Sequence, residues 1–298
     1  MQTPKGKLIS IGGNEDKGTA KNKRYRQKKH LNFFELDILK RIIAEINHEN
    51  SCIEVITSAS SIPKELGNAY LNAFGKLGCS KIGLMHIRNA EEASSPEVIA
   101  RISKADGVMF TGGNQNKLIK ILEGTPCHTI LHERYMKENF LIAGTSAGAM
   151  AMSKKMIKGG SASESLIKGA VNLGTGFGFI HNVIIDSHFI TRGRFGRLAE
   201  ATAINPEHIG IGLGEDTGVL ITNGNTLEAI GSGLVIIFDG YQIKHNSTPG
   251  IPAGTPLSIE NMVVHALAKG NRYLIRERKF LASLSESAPL PKEFHVRG

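Results

Sequence analysis

Along its first half the chain alternates short apolar runs with stretches of helical periodicity. Residues 8–11, 53–56, 82–87, 107–110 and 140–143 are compact apolar runs. They are too short for helices and are bounded by polar or glycine-containing segments, so they read as buried strands. Between the first two, Leu31, Phe34, Ile38, Ile42 and Ile46 recur at threes and fours, with Glu35, Lys40, Arg41 and Glu45 on the opposite face. That spacing predicts an amphipathic helix. Pro63 opens a second helix through Leu66, Tyr70 and Phe74, ended by the glycines at 75 and 78. Residues 96–103, a stretch carrying Leu118, Ile121 and Leu122, and residues 125–139 supply further helices. Five strand–helix alternations predict an α/β fold, a mostly parallel sheet covered by helices on both faces.

The second half has a different texture. Residues 159–178 are rich in glycine and serine and read as loop. A strand at 183–185 runs into Asp186-Ser187-His188-Phe189, and residues 192–203 read as a helix with Arg192, Arg194 and Arg197 near its start. Three strand-like runs follow at 218–222, 227–230 and 234–238, separated by Asn-Gly and Gly-Ser turns. They predict an antiparallel extension of the same sheet, and 270–275 reads as a last strand. With no linker-like break and no internal repeat, one α/β domain over 1–298 is expected.

Composition narrows the function classes. Of 298 residues, 41% are hydrophobic and 21% charged, which suits a soluble globular protein. No apolar run approaches the roughly 18 residues that span a bilayer, and the opening Met1-Gln2-Thr3-Pro4 lacks a signal-peptide core. No membrane partner is expected, and the cytoplasm is. Cys52, Cys79 and Cys127 are scattered, which points to a reducing compartment and to no metal site; no cofactor is expected either. The net charge of +9 is concentrated in Lys17, Lys21, Lys23, Arg24, Arg26, Lys28 and Lys29. This segment holds one aromatic residue, Tyr25, and no recognisable binding module, so it reads as a solvated loop and no nucleic-acid partner is expected.

The chemistry gathers at Gly144-Thr145-Ser146-Ala147-Gly148, a G-x-S-x-G pattern directly after the fifth apolar run. In a nucleophile elbow this pattern turns a strand into a helix and lifts the serine above the sheet. The bland alternative is a small-residue turn, so Ser146 needs partners to count as a nucleophile. Among eleven histidines, His30, His48, His128, His132, His245 and His295 lie in polar or terminal stretches. His188 differs, because it follows a buried strand inside a polar cluster and would stand at the sheet's catalytic edge. For the orienting acid, Glu215 and Asp216 share a glycine-rich loop. Asp186 is the alternative, although it points the same way as His188 along an extended segment and suits a substrate contact. Ser, His and acid in that order differ from the α/β-hydrolases, which implies a convergent triad on another fold.

These motifs together resemble the cyanophycinases, serine peptidases related to the aspartyl dipeptidases, on a fold like the class I glutamine amidotransferases. The resemblance covers nearly the whole chain. It is carried by Ile11-Gly12-Gly13 with Glu15-Asp16-Lys17, by Phe110-Thr111-Gly112-Gly113-Asn114-Gln115, by the elbow, by Asp186-Ser187-His188-Phe189 with the segment from Arg192 to Leu198, and by Gly214-Glu215-Asp216-Thr217. It implies Ser146 as nucleophile, His188 as general base and Glu215 as the orienting acid, with Gly113 and Ala147 as oxyanion donors. Gln115, Asp186, Ser187, Arg192, Arg194 and Arg197 match substrate-contacting positions. Ser187 is a departure, since the family often carries glutamine or threonine there. The implied substrate is cyanophycin, a poly-aspartate whose β-carboxyls are amidated by arginine, and the implied product is the β-Asp-Arg dipeptide. A homodimer is implied as well. The competing expectations are an aspartyl dipeptidase of the same family and a non-catalytic protein that binds an anionic polymer.

Overall fold

A computed structural model describes residues 2–18, 35–46 and 51–283. Its first half delivers β1 (Lys7–Ile11), α1 (Asp37–Ile46), β2 (Cys52–Ile56), α2 (Pro63–Lys76), β3 (Lys81–Met85), α3 (Ala90–Ala93), α4 (Pro96–Lys104), β4 (Gly107–Phe110), α5 (Gln115–Leu122), α6 (Pro126–Lys137), β5 (Leu141–Thr145) and α7 (Ala147–Met150). Local chemistry sets several of these starts. Ser95 and Thr125 each cap a helix through a side-chain oxygen and are followed by proline, whose missing N–H costs nothing in the first turn. Asn114 caps α5 by accepting from the amides of Asn116 at 2.9 Å and Lys117 at 3.1 Å.

The rest comprises β6 (Lys155–Gly159), β7 (Asn172–Thr175), β8 (Val183–Asp186), α8 (Phe195–Ile204), β9 (Ile209–Leu213), β10 (Thr217–Thr222), β11 (Thr226–Gly231), β12 (Val235–Asp239), β13 (His245–Asn246), β14 (Ile259–Glu260), β15 (Val263–Leu267), β16 (Arg272–Leu274) and β17 (Lys279–Leu281). The large sheet has the order β17-β16-β11-β10-β1-β5-β4-β2-β3. From β1 to β3 it is parallel, and from β10 outward antiparallel. The parallel half and its antiparallel extension match the expectation from the sequence pattern.

Both faces are covered, as a parallel sheet requires. Ile9, Ile53, Val55 and Ala143 pack with Ile38, Leu39, Ile42, Tyr70 and Phe74 of α1 and α2. The alternate residues Leu8, Ile56 and Ile142 join α4, α5 and α6 on the other face. That second core continues without a break into Ile209, Ile211, Ile237 and Leu267, which belong to a separate four-stranded sheet, β15-β12-β9-β8.

This second sheet corrects the reading of 234–238 as part of the same extension. Gly231 takes a positive φ of 89° and Ser232 donates its amide to the Asp216 carbonyl at 2.8 Å, so the chain turns out of the large sheet before β12. Two smaller corrections follow. The glycine-rich stretch 159–178 contains β7, which pairs antiparallel with β6. The helix expected from Arg192 begins at Phe195, and a turn precedes it. Residues 31–34 of the first helical pattern, and 21–29 of the basic segment, lie outside the described residues. Lys17 is described, and it belongs to a buried network and not to a solvated run.

Candidate active site

Five strand ends meet because of the topology. β1 and β5 are parallel with Ile11 opposite Thr145, so Gly12-Gly13 and Ser146 emerge side by side. β10 runs antiparallel to β1 with Gly218 opposite Ile11, which brings the segment before it, Glu215-Asp216, to the same edge. In the second sheet β8 and β9 are parallel with Asp186 opposite Gly212, so His188 and Glu215 leave neighbouring strands together. The turn after β1 stitches these ends: the Ile11 carbonyl accepts from the Ser146 amide at 2.9 Å, Gly12 from His188 at 2.7 Å and Gly13 from Asp216 at 2.9 Å.

Ser146 has φ 52° and ψ −110°, outside the basins open to an ordinary residue, and heads α7 directly after β5. That is the backbone of a nucleophile elbow, and such strain is of order 1–3 kcal/mol. The turn is tight enough that a Cβ on Gly144 would lie 2.7 Å from the Gly148 carbonyl carbon. Ser146 Oγ stands 3.0 Å from His188 Nε2, and His188 Nδ1 stands 2.8 Å from Glu215 Oε1. Asn14 Nδ2 donates to the same Oε1 at 2.5 Å. Gly13, at φ 109°, lies flat against the imidazole, and a Cβ there would sit 2.4 Å from His188 Cε1. Burial pushes the His188 pKa below the ordinary imidazole range; the Glu215 hydrogen bond raises it in part, and the charge of Arg192 lowers it further. A neutral imidazole between a hydroxyl and a carboxylate can accept the serine proton.

Glu215 and Asp216 were both open as the acid, and the structure separates them. Asp216 has φ 48°, which turns the two side chains apart. Glu215 reaches His188. Asp216 turns inward, accepting from the Ser232 hydroxyl at 2.7 Å and the Asp16 amide at 3.1 Å. Burial pushes its pKa up to about 6 against those two hydrogen bonds.

The loop after β4 covers the serine. A Cβ on Gly112 would lie 3.4 Å from Ser146 Cβ and 3.9 Å from its Oγ, and Asn114 ties the loop to the Ala59 carbonyl at 2.9 Å. Among the described residues, neither the Gly113 nor the Ala147 amide donates to a backbone carbonyl of another element. Gln115 spends its Nε2 on the carbonyls of Ile157 at 3.1 Å and Lys158 at 3.2 Å, joining this loop to β6.

Asp186 and Ser187 sit differently from the sequence expectation. Asp186 has no exposed surface, and Arg194 and Arg197 take both its oxygens: Arg197 Nε at 2.9 Å, Arg197 Nη2 at 2.5 Å and Arg194 Nη1 at 3.1 Å. The expected substrate contact of Asp186 is therefore corrected to an internal ion cluster. Ser187 is buried and its Oγ lies 3.2 Å from Met150 Sδ, so its small side chain fills core space. Arg197 is itself buried and bonds the Gly160 carbonyl at 3.0 Å. One carboxylate facing two guanidinia leaves a positive charge over, and burial lowers the Arg194 pKa despite Asp186. Arg192 is exposed on the turn before α8 and close enough to shift His188. This flank of the site is cationic.

A second buried cluster braces the elbow from behind. Glu15 accepts from the Thr145 hydroxyl at 2.7 Å and from Tyr70, and pairs with Lys17 at 2.7 Å. Burial alone would raise its pKa, but Lys17 and these hydrogen bonds bring it down to about 2. The Glu15-Asp16-Lys17 motif was visible in the sequence, and its partners Tyr70 and Thr145 were not. Nothing in the sequence marks Asn14 beyond its place after Gly12-Gly13 in the turn that ends β1.

The model of Peptidase family S51 matches residues 27–229. A cyanophycinase of Trichormus variabilis is 33% identical over 287 residues, covering 95% of this chain and 91% of that protein. A cyanophycinase of Geminocystis herdmanii is 31% identical over 279 residues, covering 94% of this chain and 97% of its own length. The crystal structure of a peptidase from an acI-B1 Actinobacterium superposes with a TM-score of 0.57 at 18% identity, covering 90% of this chain and 98% of that one, which bears on the fold alone. With a family match across most of its length and curated relatives along nearly all of it, the chain belongs to peptidase family S51, as a serine-type peptidase.

Proposed function

We propose that this chain degrades cyanophycin as an exopeptidase, releasing β-Asp-Arg dipeptides through an acyl-enzyme on Ser146. Ser146 Oγ attacks the backbone carbonyl that follows an aspartyl unit while His188 Nε2 takes its proton. Glu215 holds the imidazole by Nδ1 and balances the imidazolium that forms. The amides of Gly113 and Ala147 receive the oxyanion, where fixed dipoles cost no reorganisation. His188 returns the proton to the leaving amine, and water then hydrolyses the ester.

The observation that carries the substrate is the cationic flank beside a neutral histidine. Each cyanophycin side chain ends in a guanidinium and a free carboxylate. Arg192, backed by the surplus charge of the Arg194–Arg197–Asp186 cluster, suits the carboxylate. Gln115 has its amide protons committed to β6, so its Oε1 remains as an acceptor for the guanidinium. A cytoplasmic location and a homodimer belong to the same reading, the first supported by three free cysteines and the second by the family resemblance.

The test is incubation with insoluble cyanophycin and, separately, with Asp-X dipeptides, with products identified by mass. Release of β-Asp-Arg from the polymer, with the dipeptides left intact, is expected. Turnover of the dipeptides with the polymer untouched would replace this reading by an aspartyl dipeptidase.

A further inference from the structure

The acid of this triad is held differently from one sunk in the protein. The Glu215 side chain keeps 27% of its surface exposed, so packing alone does not fix its rotamer. Two donors converge on a single oxygen, Oε1: His188 Nδ1 at 2.8 Å and Asn14 Nδ2 at 2.5 Å. We propose that Asn14 is a positioning residue of the catalytic machinery, its side-chain amide locking the Glu215 carboxylate in the orientation that receives His188. The inference rests on the reading of Ser146, His188 and Glu215 as a triad.

The surroundings of Asn14 make this a built constraint. Its backbone has φ 50°, a left-handed conformation that asparagine tolerates and most residues do not. The turn is fastened on both sides. Before it, Gly12 and Gly13 accept from the His188 and Asp216 amides. After it, Glu15 is bound to Thr145, the neighbour of Ser146, and the Asp16 amide donates to Asp216, the neighbour of Glu215. Asn14, itself exposed, is thus carried on a backbone frame tied to each member of the triad or to its chain neighbour, and that frame brings its amide to Glu215. Preorganisation of this kind is how a supporting residue contributes to a rate.

The test uses Asn14→Gly, which keeps the left-handed turn and deletes the side chain, and Asn14→Asp, which keeps the turn and nearly the shape but removes the donor and adds a charge. The full chain is treated with a small phosphonyl fluoride, and labelling of Ser146 is followed by mass across pH. In that reaction the Oγ–P bond forms as P–F breaks; fluoride leaves and His188 takes the hydroxyl proton. Because the reagent bypasses the polymer, a wrong substrate assignment leaves the comparison readable. His188 faces Glu215, Arg192 and Arg194, so loosening Glu215 leaves the two cations dominant over it. Asn14→Gly should lower the plateau rate about 10- to 100-fold, the scale of a small misplacement, and move the acid limb to lower pH. Asn14→Asp should lower the plateau too, but move the limb to higher pH through its added negative charge. A plateau within about twofold of the unmodified chain, or a lowered plateau with an unmoved limb in both variants, overturns the proposal; the latter is the mark of simple loss of folded protein.

Discussion

Glu15 and Asp186 are both buried carboxylates held by cations next to the same catalytic edge, and they end in different electrostatic states. Glu15 faces one cation, Lys17, and two hydroxyls, so the cluster is balanced and closed. Asp186 faces two guanidinia and stays outnumbered. The balanced cluster lies behind the elbow and fixes Thr145. The unbalanced one continues outward to the exposed Arg192. The same residue types thus build a closed brace where charge cancels and an outward-reaching cationic flank where it does not. Buried ion pairs add little net stability by themselves, but removing one partner is costly because the other is stranded.

That asymmetry can be broken from either side. The largest effect is expected for Asp186→Asn, which strands Arg194 and Arg197 together. It should cost about 3–5 kcal/mol of unfolding free energy, read by denaturant titration, and polymer turnover should fall with it. Glu15→Gln should cost about 3 kcal/mol at pH 7, from a carboxyl pKa brought down to about 2. Because that pKa is depressed, the stabilisation is full above the ordinary carboxylate range and lost as pH falls towards about 2. The stability gap between Glu15→Gln and the unmodified chain should therefore close in acid, and a gap that stayed constant would contradict the balanced-cluster account. Arg192→Ala should leave stability unchanged and raise KM for the polymer about tenfold, the scale of one charge-assisted hydrogen bond.

The smallest effect is in the pH profile. Burial and Arg192 both lower the His188 pKa, so the acid limb of kcat/KM should lie below the ordinary imidazole value. Removing Arg192 should move the limb slightly towards higher pH. An unchanged limb would mean that the exposed arginine does not reach His188.

Much of this was legible in the residue pattern. Five apolar runs alternating with helical periodicities became the parallel half of the large sheet, because both burial and strand length are written locally. That Ser146 and His188 stand at one edge was legible for the same reason, each following a buried strand. The choice between Glu215 and Asp216 was not, since it depends on the left-handed backbone at Asp216, and either residue suits a glycine-rich loop. Asp186, Arg194 and Arg197 matched substrate-contacting positions, whereas folding a turn ahead of α8 brings them onto one another. The second sheet was hidden because β12 has the same apolar pattern as the strands of the extension. Its departure is set at Gly231 and Ser232, by a contact to Asp216 distant in sequence.

The most direct measurement compares the unmodified chain with Ser146→Ala on insoluble cyanophycin, following β-Asp-Arg by mass. Removing the nucleophile of such a triad costs roughly 10⁴- to 10⁶-fold in rate. The unmodified chain should clear the polymer to the dipeptide while folded Ser146→Ala releases none above background. Equal release by the two proteins would contradict a reaction built on Ser146.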